Sequence, residues 1–348
     1  MITTNTEMAQ LLREAYANPQ KHNVFYAGLS ITGSERLNAL GRWDWRPSHS
    51  QGVDTGSTIL FPLALGCTPC YTSEGKLWIE KLITDPAQAT DFTVPDIHEG
   101  FAGEVLRRYR ATRDEYPDAS IGMPDIQSPL GVAELLWDES FYTAMLDEPE
   151  AVHAVLEKTT DFIIKFIQEV QRIVGPCLKP CAWPGIWSEG PGTMVADDTM
   201  SLVSPAMHAE FSLPYLNRMA AACGPLYYHS CTWREPYFAN VKAVENVKAY
   251  NWNPGNSDDP ARIMREFAGR AVLAPHLVID MHLDNDVLKL GRNFADEFEF
   301  FRYMLDNVPE NGCTYFYFSD ICIKGEIIER IYDLLHERGY TPQAQGVA

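Results

Sequence analysis

Short β-branched or aromatic runs alternate with amphipathic helical stretches from about residue 120 onward, which predicts an α/β chain built on a parallel sheet, a (β/α)8 barrel. Two further observations agree. The length of 348 residues is ordinary for one barrel domain, and no fixed-period repeat, low-complexity tract or long Gly/Ser/Pro linker divides the chain. Residues 1–348 therefore read as a single domain, with 1–95 as an irregular N-terminal part.

In chain order, Asn23 to Leu29 and Thr58 to Leu65 are apolar runs that supply the two strands needed to complete eight. Strands are next expected near 120 to 126 and 182 to 188. Between them, residues 149 to 174 place Val152, Val155, Leu156, Phe162, Ile163, Phe166, Ile167 and Val170 at the three-and-four spacing of one helix face. Asp147 and Pro149 suit its start and Gly175 its end. A second helix opens at Ser204-Pro205, an N-cap followed by proline in the first turn, and closes near Gly224; Pro214 within it predicts a kink or break. Leu226 to Tyr228, Val247 to Trp252, Val272 to Ile279 and Tyr315 to Phe318 read as buried strands. Helices are expected over 235–247, 259–268, 293–307 and 325–338.

Charge and termini bound the function. Lys+Arg number 28 against Asp+Glu 47, a formal charge of −19 that repels nucleic-acid phosphates and anionic lipid. The start Met1-Ile2-Thr3-Thr4-Asn5 has no basic segment followed by an apolar one, and no run reaches the ~18 apolar residues of a membrane span. A cytoplasmic protein is expected, whose eight cysteines stay thiols available to a metal or to catalysis.

Tyr228-His229-Ser230-Cys231 is the most informative stretch, because it sets an imidazole and a thiol at the end of an expected strand, where a parallel barrel keeps its active-site loops. Residues two apart on an extended segment point to the same side. Thiolate and imidazole together suit Zn²⁺, and a third protein ligand leaves one coordination position open, as in catalytic sites. Cys322, in the loop Ser319-Asp320-Ile321-Cys322 beyond the last strand, is the candidate third ligand. Cys313 lies before that strand and so at the opposite face.

Buried thiols that bind nothing are the plainer reading of a lone His-x-Cys. Strand-end placement of both elements favours the metal. Cys67-Thr68-Pro69-Cys70 lacks the second pair or histidine of a structural zinc site, and Cys177 and Cys181 look like loop structure. Asp197-Asp198 suits a turn or helix start, since adjacent acids point differently. His276, Asp280, His282, Asp284 and Asp286 cluster at the end of another strand.

Gln127-Ser128-Pro129-Leu130-Gly131-Val132-Ala133, Asp147 to Val155, Ala196-Asp197-Asp198 with Ser204-Pro205, Phe211 to Tyr215 and His229-Ser230-Cys231 resemble the uroporphyrinogen decarboxylase superfamily over about residues 95 to 340. In motif the chain is most similar to the zinc-dependent methylcobalamin:coenzyme M methyltransferase-like branch. That resemblance implies a (β/α) barrel in which His229, Cys231 and Cys322 hold zinc and act as catalytic residues. It further implies a small-molecule thiol activated for methyl transfer, with a methylated corrinoid as donor and a corrinoid protein as possible partner. Gln127, Glu189, Asn253 and Asp280 are expected to contact substrate. The Arg-rich substrate grip of true porphyrinogen decarboxylases is reduced to Arg36, Arg42 and Arg46, and Asn253 stands where a distant zinc relative has a glutamate ligand. Two alternatives stay beside the methyltransferase: a decarboxylase-type lyase, and a noncatalytic barrel that holds zinc or a ligand.

Overall fold

The computed structural model describes residues 5–27, 51–182, 186, 188–277, 294–318 and 325–343. Its strands are β1 (Asn23–Ala27), β2 (Pro69–Tyr71), β3 (Leu77–Ile79), β4 (Ile121–Gly122), β5 (Leu178–Lys179), β6 (Thr193–Ala196), β7 (Leu226–Ser230), β8 (Val247–Trp252), β9 (Val272–Leu277), β10 (Cys313–Phe318) and β11 (Thr341–Gln343). The helices are α1 (Asn5–Ala17), α2 (Leu60–Ala64), α3 (Pro86–Asp91), α4 (Gly100–Glu115), α5 (Pro129–Leu136), α6 (Phe141–Asp147), α7 (Pro149–Val174), α8 (Pro205–Phe211), α9 (Leu213–Cys223), α10 (Phe238–Ala243), α11 (Pro260–Phe267), α12 (Glu297–Asp306) and α13 (Gly325–Glu337).

One sheet of seven strands runs β11-β1-β10-β9-β8-β7-β6, and every neighbouring pair in it is parallel. Beyond β6 the Met194 N–H donates to Pro180 O at 2.9 Å, Gln127 bridges Ala196 in parallel, and β4 pairs with β5. Among the described residues no hydrogen bond joins β4 to β1, whose other edge carries β11. The parallel α/β architecture expected from the alternation is present; among the described residues a closed eight-stranded barrel is not.

One expected strand is corrected. Thr58 to Leu65 forms a helical turn and α2, because Pro62 falls in a first helical turn where its missing N–H costs nothing, whereas within a sheet it would remove a ladder bond. Phe61 then packs edge-on to Phe162 and Phe166 of α7, at centroid distances of 6.4 and 5.6 Å. A short apolar run with no clear period cannot distinguish these outcomes. Of the strand expected near 182–188, residues 183–185 and 187 lie outside the described residues; the next described strand is β6, after Gly190-Pro191-Gly192. Gly192 has φ +134°, and a Cβ there would sit 2.4 Å from Pro225 O, the carbonyl that accepts from the Thr193 N–H. Glycine is thus required for β6 to approach β7.

Alternation along the strands separates two cores. Phe25, Met194, Ala196, Tyr227, Ala249, Val272, Ala274, Cys313 and Tyr315 share one cluster with Leu12, Ala15 and Tyr16 of α1, which packs where β10 begins. Their alternates Val195, Leu226, Tyr228, Tyr250, Trp252, Leu273 and Phe316 join the larger core under the helices. The break expected at Pro214 is the one between α8 and α9, at Ser212.

α7 is tied to α4 by Glu169, which accepts from Arg172 Nε and Nη2 at 2.6 and 2.7 Å and from Arg110 Nη2 at 2.6 Å. Hydrogen bonding from Arg172, then from Arg110, holds the carboxyl at about 2, below the ordinary 4.5. The folded pKa is the lower one, so this stabilisation is complete above about pH 4.5 and is lost as pH falls toward 2. Because both arginines are partly exposed, its size is ~1 kcal/mol. Glu169→Gln should lower neutral-pH stability by that order and flatten the acid limb of a denaturation series monitored by circular dichroism. An acid limb identical to the parent's would contradict it.

Candidate metal centre

β7 delivers His229 to the carboxyl end of the sheet, where it is 1% exposed. Parallel register aligns it with Ala196 on one side and Asn251 on the other, and Asn251 in turn with Ala274. This row fixes the ring. Asn251 Nδ2 donates to Ala274 O at 2.5 Å, which leaves Asn251 Oδ1 facing His229 Nδ1 as a hydrogen-bond acceptor. An amide oxygen only accepts, so Nδ1 carries the proton and the Nε2 lone pair faces outward, the tautomer a metal ligand requires.

Nε2 lies 3.3 Å from Cys231 Sγ and 3.7 Å from Asp198 Oδ1. One ligand atom from each of Asp198, His229 and Cys231 falls within 4.8 Å of the others. β6 ends just short of Asp198, and the Asp197 N–H donates to His229 O at 2.8 Å, extending the ladder by one residue. Asp198 Oδ1 then accepts from the Cys231 N–H at 2.6 Å, which locks the two loops together. The next turn is pinned from behind: the Trp233 N–H donates to Ser257 Oγ at 2.9 Å, and the Trp233 ring packs on Phe267 and Trp252 at 4.9 and 5.5 Å.

Burial first, and then the Asp198 carboxylate, push the Cys231 thiol up to about 12. A thiol in that environment stays protonated until a cation offsets the carboxylates. Imidazole nitrogen, thiol sulfur and carboxylate oxygen form a donor set that suits zinc, and the residues present fit a metal ion.

Asp197 has a different role from its neighbour. It is buried and accepts from His208 Nε2 at 2.8 Å, Tyr228 Oη at 3.0 Å and Ser212 Oγ at 3.2 Å. Burial alone would raise its carboxyl, but the His208 charge and the hydrogen bonds from His208, Ser128 and Tyr228 outweigh that and hold it below the ordinary range. The paired acids expected to serve a turn thus divide: Asp197 anchors α8, α9 and β7, and Asp198 reaches the metal donors.

The other expected residues fall in several places. Gln127 is buried at the same end and donates to Asp125 Oδ1 at 3.0 Å. Ser128 caps α5, accepting from the Gly131 N–H at 3.1 Å with Pro129 in the first turn, which accounts for the Gln127-to-Gly131 motif. Asn253 Oδ1 accepts from the Gly255 N–H at 3.0 Å as a helix cap, so its side chain is engaged by the turn. Glu189 pairs bidentately with Arg13 of α1 at 2.6 and 2.7 Å. Cys313 opens β10 and is buried there. Cys322, Asp280, His282, Asp284, Asp286, Arg36, Arg42 and Arg46 lie outside the described residues. His276, nearly buried and lowered to about 3 by burial and then by the His229 charge, completes the mouth.

Sequence reading missed Asp198, Asp125 and Asn251. Asn251 carried a legible signal, a polar residue amid the apolar run Val247–Trp252. Asp125 accepts from Gln127, whose backbone bridges Ala196 beside His229.

A model of the uroporphyrinogen decarboxylase family matches residues 55–175. No curated protein sequence matches. Among solved structures, a methyltransferase from Methanosarcina mazei superposes with a TM-score of 0.61 at 14% identity, over 95% of this chain and 98% of that one. A 2,3-dimethylmalate lyase of the PEP mutase/isocitrate lyase superfamily aligns at 10% identity and a TM-score of 0.33, over 97% and 88% of the two chains. The first shows a shared fold; the second is too distant to carry an argument.

The tautomer lock yields a prediction. Asn251→Ala removes the acceptor at His229 Nδ1 and should weaken zinc binding ~10–100-fold in chelator competition, whereas Asn251→Asp, which keeps an acceptor there but loses the donor to the Ala274 carbonyl, should weaken it less. Equal affinity in Asn251→Ala would show that the row does not tune the ring.

Proposed function

We propose, for a chain whose residues 55–175 carry the signature of the uroporphyrinogen decarboxylase family, that it is a zinc-dependent methyltransferase acting on a thiol, with a methylated corrinoid as donor. The observation that carries this reading is the convergence of His229 Nε2, Cys231 Sγ and the Asp198 carboxylate at the carboxyl end of a parallel sheet. In this reading His229, Cys231 and, from the loop after β10, Cys322 hold the metal. Zinc at such a site keeps a bound thiol deprotonated at neutral pH, which supplies the nucleophile.

The chain's own residues do the rest. Asn251 holds the His229 ring in its ligating tautomer. The Cys231 N–H fixes the Asp198 carboxylate beside the metal donors, where its exposed side chain is well placed to pass the thiol proton on to solvent. A methylated corrinoid, when bound, would supply the methyl group to the substrate sulfur that His229 and Cys231 position and would retain the electron pair of its methyl bond. A corrinoid-carrying protein is the partner this chemistry calls for. Among the described residues no helix is long and apolar enough to cross a membrane. A metal-independent porphyrinogen decarboxylase would leave the converged thiol and imidazole without a task.

The purified protein should take up one zinc per chain. Cys231→Ala should reduce that content sharply, while the Cys67→Ser, Cys70→Ser double variant should retain it. Adding a thiol to the zinc-loaded protein should release a proton, read by calorimetry in buffers of different ionisation enthalpy. Protein that takes up no zinc from a metal-supplemented buffer would refute the reading.

A further inference from the structure

Asp125 stands beside the metal donors but outside their set. It follows β4 on the stretch that bridges β6 at Gln127, and it is half-buried. Its contacts are neutral: Gln127 Nε2 donates to Oδ1 at 3.0 Å, and Ser57 Oγ and Thr58 Oγ1 lie 3.5 Å from Oδ2. Gln127, which holds the Asp125 carboxylate, bridges Ala196, and Ala196 is aligned with His229, so Asp125 sits on the strand stretch next to the metal donors. Beyond burial, the carboxylates of Asp198 and Asp125 both act on the Cys231 thiol, raising it.

A divalent cation brings +2, the Cys231 thiolate and Asp198 already offset it before a Cys322 thiolate of the proposed ligand set adds its own charge, and Asp125 adds a further negative one. A substrate bound as a thiolate adds another. In a partly buried site such an excess is costly unless the incoming molecule carries its own positive charge.

We propose that Asp125 selects the thiol substrate by charge, favouring a short thiol whose other end is a cation, such as an ammonium group, over neutral or anionic thiols. This rests on the zinc–thiol reading above. The sulfur enters at His229 and Cys231, and the cationic end is received by the Asp125 carboxylate, which Gln127 holds in place. No bond of Asp125 to the metal is involved, so the residue determines specificity and is not a ligand.

The test uses the zinc-loaded full chain and three two-carbon thiols of graded charge: 2-aminoethanethiol, 2-mercaptoethanol and 2-mercaptoethanesulfonate. Affinities are measured by calorimetry at low salt and corrected for each thiol's own ionisation. The expected order is cationic, neutral, anionic, with on the order of tenfold or more between the extremes and a smaller spread at high salt. Asp125→Asn should compress the spread at unchanged zinc content, and Asp125→Glu should preserve it. An anionic thiol that binds as tightly as the cationic one, or an order unaltered in Asp125→Asn, would overturn the proposal while leaving the zinc–thiol reading in place. Should Asp125→Asn fail to fold, an order in the parent that is reversed or insensitive to salt overturns it equally. If none of the three thiols binds, the zinc–thiol reading itself fails.

Discussion

The candidate site depends on the hydrogen bond between Asn251 Oδ1 and His229 Nδ1 and on the parallel register that makes it possible. In a parallel sheet, residues at one level of neighbouring strands stand side by side, and here that level holds Ala196, His229, Asn251 and Ala274. Ala196 and Ala274 are small enough to leave room, Asn251 is long enough to reach the ring, and the Ala274 carbonyl fixes which end of the amide faces it. Moving any one of these strands by one residue would turn its side chain into the helical core and release the imidazole.

The adjacent acids show how sequence neighbours acquire different chemistry. Asp197 completes the ladder with β7 and is enclosed by donors, which makes it a structural anchor for α8 and α9. Asp198, one residue farther, has left the strand and is 42% exposed on its side chain, so it can serve a ligand as well as the Cys231 N–H. The anchor lets the exposed residue be placed accurately, since functional groups are only as well positioned as the groups that support them.

Much of this was readable from residue order. The α7 face, the Ser204-Pro205 start, the Pro214 break and the strands from Leu226 to Phe318 follow from periodicity, capping and proline chemistry, and each falls where those rules set it. His229 and Cys231 were legible because a strand end imposes spacing on them. Thr58 to Leu65 was not, because a short apolar run fits a buried helix as well as a strand. The closeness of Asp198, Asp125 and Asn251 to His229 was hidden for a different reason. It is set by register between strands distant in sequence, and a single chain carries no direct record of which residues share a level. Glu189 illustrates the converse, an acid near a predicted strand whose partner is Arg13 of α1.

The central claim is that the metal donors at the strand ends leave a coordination position for a substrate sulfur. Zinc-edge X-ray absorption on the zinc-loaded protein, before and after saturation with a thiol, addresses it most directly. The account predicts a mixed nitrogen/oxygen and sulfur shell to which the thiol adds one further sulfur at ~2.3 Å. A sulfur count unchanged at saturating thiol, with the shell filled by protein side chains alone, would contradict it.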